Sequence, residues 1–339
     1  VNRDVHARAP GKIIISGEHA VVYGAPALLT AVNRYVDTRI APAAGITFDM
    51  AGFEQRRVVT TATKLEELYT EVVQRYDRFS TGDLPVREVL ERPSDLIPLA
   101  FAVMCREVGI APPDVHLTYD IDVPIGCGMG ASAAAVVSVL AATAGFVSAN
   151  IATADLFRLA LACEQFQHGN SSGADPYACV HGGCVRFRQG EAESISSVPF
   201  PSFYVVDSGR PDATTGECVE SVRSSFESSA LADEFAAVSA SIEAAIEAND
   251  TDALYSAVRN NDALLRQIGV VPQPVAAFID AVAATGGAAK ISGAGSVRGI
   301  AGGLVIVFAE SAPAALCEQF GYRMLDVQGV ADGVIVNTQ

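Results

Sequence analysis

The sequence has no tryptophan, and only three of its 339 residues are lysine (Lys12, Lys64, Lys290). Positive charge is scarce altogether: 23 Lys and Arg stand against 39 Asp and Glu, a net charge of −16 at pH 7. A surface of that sign repels phosphate backbones and anionic lipid, which excludes nucleic acid and membranes as general partners. An anionic ligand can bind only where cations are gathered locally. The seven cysteines are scattered and without a CxxC pair, which excludes a disulfide framework and a zinc knuckle and fits a reducing, cytoplasmic setting. The five histidines form no HExxH pattern, and no basic-then-apolar leader is seen. Long hydrophobic runs are missing too. The most apolar stretch, 133–147, is interrupted by Ser138 and Thr143 and is too short to span a bilayer. What is present, 50% hydrophobic and 18% charged residues, excludes intrinsic disorder. The length suggests two domains of roughly 100–200 residues each.

Periodicity predicts strands at 5–8 and 12–16, with a turn at Gly17-Glu18-His19. The run 25–32 is compatible with a buried strand or a short helix. Helical spacing marks about 65–75, 99–108, 133–147 and 154–166, with a short strand at 116–119. The polar stretch 188–197, closed by Pro199 and Pro201, reads as a domain boundary. It separates an N-terminal nucleotide- and substrate-binding domain (1–198) from a C-terminal domain (199–339). In the latter, strands are expected at 203–207, 303–308 and 333–336, and helices near 216–228, 233–248, 251–267, 273–284 and 312–319. Strands and helices mix without a strict βαβ rhythm, which predicts an α+β fold.

Four segments carry chemistry. Pro124-Ile-Gly-Cys-Gly-Met-Gly-Ala-Ser132 runs straight into a helix. Its glycines allow close backbone approach, and a helix start directs free N–H groups and a positive dipole end at an anion. A tight turn packed on a neighbouring helix is the plainer alternative. No Walker lysine follows, and Ser132 is either a helix cap or a Mg²⁺ ligand. In Ala9-Pro-Gly-Lys-Ile-Ile-Ile-Ser-Gly-Glu-His-Ala20, Lys12 opens an otherwise apolar strand, either snorkelling or facing a ligand. Glu164 and Asp175 flank a helix end and a Gly/Ser loop, where carboxylates act as metal ligand and base or simply as solvated caps. Lys290-Ile-Ser-Gly-Ala-Gly-Ser-Val-Arg298 is a second glycine-rich turn, either another backbone cradle or a plain loop.

In this order the four segments, with the weaker echoes Pro211-Asp-Ala-Thr214 and Asn261-Asp-Ala-Leu-Leu-Arg-Gln-Ile-Gly269, resemble the GHMP small-molecule kinases, and within them the mevalonate kinases. The sharpest discriminator is Gly17-Glu-His-Ala-Val-Val-Tyr-Gly24. The resemblance implies an N-terminal domain like the second domain of ribosomal protein S5, joined to a ferredoxin-like C-terminal domain. It further implies ATP- and Mg²⁺-dependent phosphorylation of the 5-hydroxyl of (R)-mevalonate. Gly126, Gly128, Met129, Gly130, Ala131 and Ser132, with Gly293 and Ala294, would hold ATP. Ser132 and Glu164 would hold Mg²⁺, Asp175 would be the catalytic base, and Lys12 would pair with it and stabilise developing charge. Glu18, His19 and Thr214 join Lys12 and Asp175 at the substrate. The alternatives are a phosphomevalonate kinase, a mevalonate 3-kinase, or an inactive metabolite sensor. The expected partner is a small molecule, and a homodimer is compatible with the sequence. The family pattern is broken where Ser296-Val297-Arg298 replace further glycines. Arg298 is expected either to reach the nucleotide phosphates or to brace the 293–295 turn from behind.

Overall fold

A computed structural model describes residues 4–169, 171–195, 202–227 and 230–338. The first part of the chain runs β1 (Val5–Ser16), β2 (Ala27–Pro42), β3 (Ile46–Met50), β4 (Arg57–Thr60), α1 (Ala62–Ser80) and α2 (Leu96–Glu107). It continues through β5 (Val115–Ile121), α3 (Ala131–Phe146), α4 (Thr153–His168), α5 (Ala174–His181), β6 (Cys184–Arg188) and β7 (Glu191–Ser194). The second part holds β8 (Tyr204–Asp207), α6 (Thr215–Glu227), α7 (Leu231–Glu247), α8 (Thr251–Gln267), α9 (Gln273–Ala284) and β9 (Ala288–Ser292). It closes with β10 (Leu304–Phe308), α10 (Ala314–Phe320), β11 (Arg323–Leu325) and β12 (Ile335–Thr338).

Two sheets organise these elements. The larger is ordered β12-β1-β2-β5-β3-β4, with the β6–β7 hairpin paired to β2. The smaller is the antiparallel order β11-β8-β10-β9, the ferredoxin-like arrangement. The α+β class expected from the sequence is therefore present. The boundary expected at 198/199, with Pro199 and Pro201, lies outside the described residues. The last strand, however, does not stay with the second sheet. It pairs with β1 in the first, so residues after β11 return to the N-terminal sheet.

Helix α3 is the pivot of the first core. It is apolar around its whole circumference and lies buried along nearly its full length, against β1, β2, α2 and α4. Its two polar interruptions are satisfied: Ser138 Oγ meets Thr38 Oγ1 on β2 at 2.8 Å, and Thr143 donates to the Val139 carbonyl. Alternation along β1 sends Ile13 and Ile15 into this core. Ile14 turns to the opposite face, where it packs with Ala174 and Ala178 of α5. Lys12, two residues before Ile14, shares that parity and faces α5.

Several elements differ from the sequence reading. β1 is one strand through Pro10-Gly11, where the register shifts, rather than two. The 25–32 run is strand. The polar stretch 188–197 is in part a hairpin turning at Gln189, whose φ is positive. The Gly/Ser loop before Asp175 gives way to α5, so Asp175 sits in a helical first turn.

Candidate active site

The first glycine segment folds as a turn that presses on β1. The Lys12 amide donates to the Met129 carbonyl at 2.9 Å. Gly130 has φ +71°, and a Cβ there would stand 2.9 Å from Lys12 Cγ, so the turn fits only because position 130 lacks a side chain. Gly128 (φ +94°) lies against the second glycine turn, 3.2 Å from the Ser292 carbonyl by the same measure. The two glycine segments thus meet, bringing Gly126–Ser132 and Gly293–Ala294 to one place. α3 starts at Ala131, and the N–H groups of its first turn lie beyond the reach of its own ladder.

Lys12 Nζ lies 3.0 Å from Asp175 Oδ2, with the lysine side chain 3% exposed and the aspartate 31%. A buried ammonium beside a half-buried carboxylate is the pair the motifs imply. Glu164 stands on the adjoining helix α4. Its Oε1 accepts from Ser132 Oγ at 3.4 Å, and its buried Oε2 has no partner. Burial, then the nearby Asp175 charge, pushes the Glu164 carboxyl up to about 8. A buried carboxylate oxygen without a partner, beside a serine hydroxyl, fits a hard cation. Among the described residues no three His, Cys, Asp or Glu side chains group into a metal cage. Mg²⁺ is commonly held by one or two protein groups plus phosphate oxygens. The sequence reading gave His168 no role. Its Nε2 lies 3.4 Å from Ser132 Oγ and 3.7 Å from Glu164 Oε1, and an i,i+4 spacing from Glu164 on α4 was the available signal. Asn170, in the same segment, lies outside the described residues.

Three expected substrate groups have protein partners of their own. Glu18 is buried. Its carboxylate bonds the Lys290 ammonium, which also donates to the Ile15 carbonyl at 2.9 Å, and both side chains are buried. Burial raises the Glu18 carboxyl and lowers the Lys290 amine, while their attraction opposes both effects. His19 Nε2 lies 3.0 Å from the Ala294 carbonyl, so the ring ties the first motif to the second glycine turn. Burial lowers it to about 4, leaving a neutral ring. Thr214 forms a reciprocal cap at the start of α6: its amide and hydroxyl donate to Glu217 Oε2 at 2.7 and 2.9 Å, and the Glu217 amide donates back. Arg298 does not brace the 293–295 turn. Its guanidinium donates to Glu217 and to the Asp212 carbonyl, clamping 212–217 to the loop after the second glycine turn.

Residues 95–183 match the family model described as GHMP kinases N terminal domain. The chain is 29% identical to the mevalonate kinase of Pyrococcus horikoshii over 66% of this chain and 62% of that protein. It therefore spans about three fifths of that relative's length. A mevalonate kinase of Archaeoglobus fulgidus is 28% identical over 85% of this chain and 88% of that one. Among solved structures, Methanococcus jannaschii mevalonate kinase superposes with a TM-score of 0.78 at 19% identity, covering 96% of this chain and 98% of that one. Streptococcus pneumoniae phosphomevalonate kinase, in complex with phosphomevalonate and AMPPNP, gives 0.75 at 17% identity, covering 96% and 99%.

Proposed function

We propose that this chain, which has the GHMP kinase fold and a GHMP kinase N-terminal domain, is a cytoplasmic ATP-dependent mevalonate kinase. It transfers the γ-phosphoryl group to the 5-hydroxyl of (R)-mevalonate. The observation that carries this reading is the 3.0 Å Lys12–Asp175 contact beside the glycine turn. Phosphoryl transfer needs positioned phosphates, neutralised charge and an oriented hydroxyl. In this reading the amides of 126–132 and of the first turn of α3 hold the nucleotide phosphates. Asp175 orients the acceptor hydroxyl and takes its proton. Lys12 pairs with that carboxylate and stabilises negative charge on the transferring group. Ser132 and Glu164 would hold Mg²⁺, Glu164 as its carboxylate. When bound, the ion supplies neutralisation of phosphate charge. His19 acts indirectly, fixing the second glycine turn against the first motif.

A phosphomevalonate kinase is the runner-up, favoured by one observation: Arg210, a cation outside all four chemistry-bearing segments, lies at the glycine turn. An ADP-release panel with mevalonate, 5-phosphomevalonate, galactose and homoserine decides between them. We expect the highest kcat/KM for (R)-mevalonate. A higher value for 5-phosphomevalonate overturns the assignment, and no ADP release with any acceptor favours a non-catalytic sensor.

A further inference from the structure

The mouth of the glycine turn is short of free positive charge. Lys12 is paired with Asp175, Lys290 with Glu18, Arg298 with Glu217, and Arg323 with Asp207. Arg8 contacts Asp37 and stacks on Tyr35. Arg210 differs. It is exposed and makes no hydrogen bond or ion pair among the described residues. Its guanidinium nevertheless lies over the turn, with Nε 3.5 Å and Cζ 3.9 Å from where a Cβ on Gly126 would stand.

The backbone beneath Arg210 is fixed on both sides. The Gly209 amide donates to Asp207 Oδ1 at 2.9 Å, and the Gly303 amide to the Gly209 carbonyl at 3.1 Å. Ser208 Oγ donates to the Gly303 carbonyl at 2.8 Å and accepts from the Gly302 amide at 3.0 Å. On the other side, Arg298 donates to the Asp212 carbonyl at 2.7 Å. A free guanidinium on an anchored turn, placed against glycine backbone in a chain of net charge −16, is arranged for an anion.

We propose that Arg210 is a nucleotide-binding residue whose guanidinium closes the Gly126–Gly130 turn over the polyphosphate of a bound nucleoside triphosphate. This rests on the kinase reading above, but not on the identity of the acceptor. Phosphate is favoured over an acceptor carboxylate because the guanidinium lies against Gly126 itself, at the entry of the turn. Lys12, by contrast, serves the reacting end beside Asp175. The planar fork of arginine matches two phosphate oxygens at once, and charge-assisted bonds of this kind are among the stronger ones available.

The test is titration calorimetry with Mg²⁺–ATP, Mg²⁺–ADP and adenosine on the wild type, Arg210→Ala and Arg210→Lys. Being exposed, Arg210 can be replaced without disturbing the core, and an unchanged Tm checks this. We expect Arg210→Ala to weaken ATP and ADP about ten-fold, about 1.4 kcal/mol, with adenosine unchanged. Arg210→Lys should recover part of the loss, and the acceptor KM should not move. Equal ATP affinity in wild type and Arg210→Ala overturns the proposal while leaving the kinase reading intact. A loss confined to the KM of mevalonate or 5-phosphomevalonate also overturns it, and reassigns Arg210 to the acceptor. A wild type that binds ATP but turns over no mevalonate defeats only the acceptor assignment. A wild type that binds no nucleotide defeats both.

Discussion

At the scale of single residues, the chemistry rests on side chains that burial has shaped. Asp175→Asn keeps the size and removes the proposed proton acceptor. It is expected to lower kcat by roughly 10²–10⁴-fold, the range for losing a positioned acid–base group, with ATP affinity nearly unchanged. A steady-state profile in which only the KM for ATP rises would place Asp175 with the nucleotide instead. His19 gives a pH signature. Its ring stays neutral in the fold down to about 4, against an ordinary value of 6.5. As pH falls, the unfolded chain takes up this proton first. The group's contribution is therefore complete above pH 6.5 and is lost between 6.5 and 4, by up to ~3 kcal/mol. His19→Gln can still donate to the Ala294 carbonyl but does not titrate. Urea midpoints between pH 7 and 4.5 should fall less steeply for the variant than for the wild type, and identical slopes would contradict the neutral ring.

At the scale of elements, the glycine turn positions the lysine. Gly130→Ala places a methyl group 2.9 Å from Lys12 Cγ at a left-handed φ of +71°, a backbone strain of roughly 1–2 kcal/mol. The lysine stem must move, and a shift of the reacting groups on the ångström scale lowers kcat by up to about 10²-fold. Gly45→Ala carries a similar strain at φ +89° with open space around it. It should lower Tm while sparing kcat, and equal effects of the two on turnover would remove the argument. These elements were unequally legible in the sequence. Lys12 opening an apolar strand, the glycines leading into α3, and the helical spacing of α3, α4, α8 and α9 were all readable, because periodicity and turn chemistry are local. In the β6–β7 hairpin, β6 buries Val185 and Phe187 in alternation with two arginines, but β7, Glu191–Ser194, has no apolar face, so the stretch read as a polar boundary. Helix α5 was hidden behind a Gly/Ser run that resembles a loop. β9 was masked because Lys290, read as the start of a turn, is a fully buried strand residue. Arg210 could not have been found by pattern at all, since its position at Gly126 depends on a contact between the two parts of the chain.

At the scale of the whole molecule, those parts are joined through polar groups in a buried seam. The Ile14 amide donates to Ser292 Oγ at 2.9 Å, and that hydroxyl donates to the Ile14 carbonyl at 2.8 Å. Ser16 Oγ meets Ser239 Oγ at 2.7 Å, and β12 crosses back to pair with β1. Lys290 sits in this seam, bonded to Glu18 and to the β1 carbonyls. Such a pair adds little net stability compared with apolar packing, yet removing one partner leaves the other buried and uncompensated. Lys290→Met should therefore lower stability by about 3–5 kcal/mol, whereas Glu18→Gln combined with Lys290→Met should recover much of that loss. The seam also predicts that both sheets unfold together, in one cooperative urea transition seen alike by far-UV circular dichroism and by amide exchange in β1 and β10. Both sheets then lose stability to the single substitution, although only one of them carries Lys290. If two transitions are resolved in the wild type, or if Lys290→Met destabilises β10 while leaving β1 protected, the seam does not couple the domains. In that case the approach of Gly128 to Ser292 would have to be held by the bound nucleotide rather than by the fold.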